Sequence, residues 1–88
     1  MLDIHYFAAA RAAAGVASER VDAPATLAEL MDALAGAHTG TTDAGMSLAE
    51  IFPRCSFLID GTTTTADPAD VSLAGVSRVD VLPPFAGG

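Results

Sequence analysis

The chain has 88 residues, enough for one small domain with a compact core and too few for a deep pocket of its own. Its net charge of −7, with four Arg and no Lys, excludes the basic stripe that nucleic acid binding needs. A single cysteine, Cys55, excludes an internal disulfide, and no apolar run is long enough to span a bilayer.

In chain order, Leu2-Asp3-Ile4-His5-Tyr6-Phe7 alternates as a first strand, with Leu2, Ile4 and Tyr6 on one face and Phe7 on the other. Ala8 to Ala14 is an Ala-rich helix former with Gly15 suited to its C-cap. Ser18 to Asp22 reads as a second strand with Val21 inward, stopped by Pro24. The clearest helix runs from Leu27 to Ala37. Thr26 and Glu29 form a capping-box pattern before it, and Leu27, Leu30, Met31 and Leu34 mark its apolar face.

Thr39 to Gly45 is a polar loop, and Ser47-Leu48-Ala49-Glu50 repeats the capping pattern for one helical turn before Pro53. Cys55 to Ile59 is a strand, and Asp60-Gly61 turns it into Thr62 to Thr65. Asp67-Pro68 opens another turn. Arg78 to Leu82 is the closing strand, with Val79 and Val81 on one face and Leu82 on the other. Pro83-Pro84 forbids further regular pairing, and Phe85-Ala86-Gly87-Gly88 runs out as a flexible tail.

This order predicts an α+β fold with one mixed sheet packed on one main helix; joining the first and last strands would make it a β-grasp. The domain is expected over residues 1–82, with 83–88 as a functional C-terminal tail. An acidic Asp3 where a leader would be basic gives no signal peptide, so the expected location is cytoplasmic.

The catalytic inventory inside the domain is thin. His5 and His38 have no neighbouring ligand at metal-binding spacing, so no metal site is expected. Cys55 reads as a core thiol, and Asp67 and Asp70 read as turn residues. Threonine in Thr62 to Thr65 is explained by strand propensity. The tail differs from all of these. After Pro83 and Pro84, a side-chain-free Gly87-Gly88 can enter a channel that a Cβ would block, and it ends in a carboxylate.

The closing Val81-Leu82-Pro83-Pro84-Phe85-Ala86-Gly87-Gly88 resembles the ending of molybdopterin synthase small subunits. Tyr6-Phe7-Ala8-Ala9-Ala10-Arg11 with Gly15, Thr26-Leu27-Ala28-Glu29-Leu30 and Phe57-Leu58-Ile59-Asp60-Gly61 are similar to that family's first strand and helix, main helix, and central strand and turn. The sequence departs from the family's pattern at Ala12, at Gly75-Val76-Ser77-Arg78, and in an added polar loop, Thr39 to Gly45.

The resemblance implies a ubiquitin-like β-grasp carrier with no activity alone and no bound cofactor. An adenylating partner would use ATP to activate the Gly88 carboxylate, and a sulfur donor would convert it to a thiocarboxylate (1-thioglycine). The tail, Pro83, Pro84, Phe85, Ala86 and Gly87, would thread into the large synthase subunit, with a heterotetramer expected. Gly88 would carry the sulfur that builds the molybdopterin dithiolene. Phe7 and Leu82, outward and side by side in a β-grasp, would form the docking patch. Three other readings stay open: a carrier for thiamine or cysteine synthesis, a ubiquitin-like protein modifier, and an interaction domain with an inert tail.

Overall fold

The computed structural model describes residues 1–42 and 45–83. Strand β1, Leu2–Tyr6, opens the chain with burial that alternates along it. Leu2, Ile4 and Tyr6 are buried, as period-two alternation against a core requires. The chain turns at Ala8, whose φ of 50° lies in the region uncommon for residues with a Cβ, and enters helix α1, Ala8–Ala14. Phe7 is therefore the extended N-cap of α1 and falls outside β1, one residue short of the expected strand end.

Strand β2, Ser18–Val21, pairs antiparallel with β1. Helix α2 spans Leu27–Ala37, the bounds its pattern predicts. Its cap differs in one respect. The Thr26 hydroxyl accepts from the Glu29 N–H at 3.3 Å, but the Glu29 carboxylate accepts from Ala25 N–H at 3.0 Å rather than from Thr26. The reciprocal half of the box is thus displaced by one residue. The second box, at Ser47 and Glu50, closes fully ahead of α3, Leu48–Ile51, which tightens into a 3-10 turn over Phe52–Arg54.

Strands β3, Ser56–Ile59, and β4, Thr62–Thr63, form a hairpin. Both residues of its turn have positive φ, 49° at Asp60 and 84° at Gly61, the geometry whose twist matches the flanking strands. The Asp60 carboxylate then accepts from the N–H groups of Ser77 and Arg78, tying this turn to the start of the last strand. A second 3-10 turn, Pro68–Asp70, is capped by Asp67. Strand β5, Arg78–Leu82, closes the sheet.

The sheet order is β2-β1-β5-β3-β4, with β1 and β5 parallel and the other neighbours antiparallel. This is the mixed, ubiquitin-like β-grasp that joining the first and last strands requires. One face packs its Ile4, Tyr6, Val79 and Val81 against Leu27, Leu30 and Leu34 of α2. Gly40, after α2, passes so close to α1 that an added Cβ would lie 2.8 Å from the Ala13 carbonyl oxygen, so the loop can cross there only on glycine. Among the described residues no helix is long and apolar enough to cross a membrane.

Candidate functional site at the root of the tail

The central position of β5 decides where the chain beyond it begins. Held by β1 on one side and β3 on the other, β5 hands over to Pro83 at the rim of the sheet. Pro83 has no N–H with which to extend either ladder. The tail expectations at Pro84, Phe85, Ala86, Gly87 and Gly88 lie outside the described residues.

Around that root the sheet's open face carries an apolar corner. Tyr6 pairs with Val81, so Phe7 and Leu82 follow in register, and the Phe7 N–H donates to the Val81 carbonyl at 3.2 Å. Phe7 is 40% exposed, and Leu82 is half-buried. Among the described residues no loop covers Phe7, and the outward placement read from alternation holds.

Next to this corner the open face is ionic but internally neutralised. Arg20 Nε donates to Asp3 at 2.8 Å across β1 and β2, and Arg78 Nε donates to Asp80 at 2.6 Å along β5. The Arg20 guanidinium holds the Asp3 carboxyl below its usual value. Asp80 points away from the core yet is only 7% exposed, because its carboxylate lies in the middle of the sheet beneath the arginine. Strand alternation alone gives its direction and misses its burial.

On the helix side, Glu19 of β2 draws two partners from distant parts of the chain. The Tyr6 hydroxyl donates to its carboxylate at 2.7 Å, and the His38 ring nitrogen meets the same oxygen from the end of α2. The Tyr6 and His38 rings meet edge to face at 5.8 Å. Burial is the main reason that the Tyr6 phenol is pushed far above its usual value, followed by the Glu19 bond. This cluster fastens the end of α2 to the sheet edge, and nothing in the sequence pattern marks it.

The other residues weighed from sequence remain dispersed. His5 is half-buried on the open face, and Asp67 caps a turn. The Cys55 thiol is half-buried, donates to the Ile51 carbonyl at 3.3 Å, and is pushed up to about 11 by burial. Among the described residues no group of three or more His, Cys, Asp or Glu could hold a metal ion.

Comparison with known proteins bears on the whole chain. The sequence profile described as the ThiS family matches residues 4–88. The crystal structure of SAMP1 from Haloferax volcanii superposes with a TM-score of 0.68 at 28% identity, covering 99% of this chain and 98% of that one. No curated protein matches.

Proposed function

The chain belongs to the ThiS family of ubiquitin-like sulfur carriers, and on that premise we propose that it is the sulfur-carrier subunit of a molybdopterin synthase. The observation that carries the reading is the junction at Leu82 and Pro83. The central strand of the sheet is followed in sequence by Pro83-Pro84-Phe85-Ala86-Gly87-Gly88, the ending similar to that of the synthase small subunits. Proline fixes its own φ, and glycine has no Cβ, so this order of residue types suits an end that enters a narrow channel on a partner.

In this reading a carboxylate oxygen of Gly88 attacks the α-phosphate of ATP on an activating partner, and pyrophosphate leaves. Sulfur delivered by a donor at the sulfide level, as hydrosulfide, then attacks the acyl carbon, AMP departs with the bonding pair, the sulfur loses its proton, and a thiocarboxylate remains. The domain supplies position; the chemistry belongs to its partners. Phe7 and Leu82 seat the body against the activating enzyme and the large subunit, so that the tail reaches the active site of each in turn. The synthase's pterin precursor is the sulfur acceptor.

The test uses three forms: the native chain, a chain lacking Gly88, and one extended by a residue. Each is incubated with the activating enzyme, ATP and a sulfur donor, and its intact mass is measured. Loss of Gly88 withdraws the reactive carbon by up to ~3.6 Å. Displacements of about 1 Å already cost positioned reactions much of their rate. Only the native form should gain the oxygen-to-sulfur increment. Equal charging of the altered forms would overturn the reading. The family match spans the chain and is equally compatible with a second reading, a sulfur carrier for thiamine or cysteine synthesis or a ubiquitin-like modifier. Co-purification of a large synthase subunit, or of a conjugate, separates the alternatives.

A further inference from the structure

On the helix side of the sheet, away from Phe7 and Leu82, a cleft of about 340 Å³ opens between α2 and the β3–β4 side of the domain. Its walls include Leu27 and Met31 from α2, Phe52 from the 3-10 turn, Phe57 from β3, and Ala66 and Pro68 from the loop beyond β4. Phe52 and Phe57 lie with ring centroids 5.9 Å apart. Two of its polar lining groups are already occupied by the chain's own backbone. The Cys55 thiol donates to the Ile51 carbonyl, and the Thr64 hydroxyl accepts from the Ala66 N–H at 3.4 Å. Apart from that thiol and the hydroxyls of Thr64 and Thr65, the described lining offers no polar side chain to orient a small molecule, whereas an apolar side chain would lose water from both surfaces.

The charges beside the cleft narrow the occupant further. Asp67 sits between the lining residues Ala66 and Pro68, Asp70 ends the same 3-10 turn, and Asp32 follows Met31. None of the three forms an ion pair among the described residues. Arg54, between the lining residues Pro53 and Cys55, is the cation on this rim. The local balance is acidic, like the chain's net −7. An acidic rim around an apolar floor complements an apolar anchor flanked by basic residues.

We propose that this cleft is a second docking site, which takes an apolar side chain from a basic segment of a protein partner. The site borders the tail root, since Phe57 pairs with Val81 and Ser56 with Leu82, yet it opens on the face that the Phe7 corner leaves free. Two partners can therefore hold the domain at once. The proposal rests on the cleft and its charges, and stands or falls independently of any chemistry at Gly88.

The experiment titrates the native chain with two amidated dodecapeptides, one of Lys and Leu and one of Lys and Ser, and follows backbone amide shifts. The Lys-Leu peptide should move the amides of Met31, Phe57 and Ala66 and bind at least tenfold more tightly than the Lys-Ser peptide. Met31→Glu should weaken its binding tenfold or more. That substitution adds a negative charge, so attraction by charge alone predicts tighter binding instead. Ala66→Glu, at an exposed loop position, repeats the test without touching a helix. Equal binding of both peptides, shifts confined to the Phe7 face, no binding, or tighter binding by both variants would overturn the proposal.

Discussion

On the open face of the sheet Asp3 meets Arg20 and Asp80 meets Arg78, whereas beside the helix-side cleft Asp32, Asp67 and Asp70 meet no cation among the described residues. The two regions treat charge differently, and the difference bears on what each could dock. A face whose ions are already paired can be covered by a partner without stranding a buried charge, so on the proposed docking face the apolar corner at Phe7 and Leu82 would decide affinity. Unpaired acids at a rim keep their long-range field and draw a basic partner from a distance. Charge pairing, rather than charge count, separates the two regions.

The contrast can be tested first at Cys55, on the cleft wall. With its thiol pushed up to about 11, the thiolate at pH 8 is roughly a hundredfold scarcer than in the unfolded chain. The more basic sulfur is a better nucleophile, which returns part of that factor. Alkylation in the folded protein should still be about tenfold or more slower than in denaturant, before any loss of access is counted. Equal rates would mean that the cleft wall is as wet as the open face.

A smaller effect is expected at the apolar corner. Phe7→Asp should weaken docking to the activating enzyme about tenfold while the melting temperature stays near native, because the ring is already 40% exposed. Unchanged affinity in the folded variant would remove this corner from the docking surface.

The smallest effect compares the acids themselves. Asp80→Asn should cost about 1 kcal/mol in denaturant unfolding, through the lost charge-assisted bond to Arg78, with the half-exposed arginine limiting the loss. Asp67→Asn should stay within about 0.5 kcal/mol, because a neutral amide oxygen can still cap the turn at this exposed position. Equal costs would erase the distinction between the two regions.

What was legible in the sequence was local or periodic. The bounds of α2 follow from Thr26 at one end and an apolar stripe that stops at Leu34, and β5 stops where Pro83 removes a donor. The inward set Leu2, Ile4 and Tyr6 follows from strand alternation. Thr62 to Thr65 read as a longer strand because threonine propensity does not report how many partners β3 offers, and only Thr62–Thr63 pair. The cleft and the Tyr6–Glu19–His38 cluster were invisible because their members come from stretches far apart in the chain. Phe7 and Leu82 could be read as neighbours once β1 and β5 were joined, which is a statement about topology rather than about either residue.

That same joining has a consequence for the protein's birth. The strand that fills the middle of the sheet is made last, and its parallel partner β1 is made first. While the chain is being synthesised, the β1–β2 ribbon and the β3–β4 hairpin share no ladder, and contacts this distant in sequence form late and slowly. Insertion of β5 completes the sheet and, in the same act, sets Pro83 at its rim. Until then no strand joins the two halves of the sheet, and Leu82 and Pro83 have no fixed place at its rim.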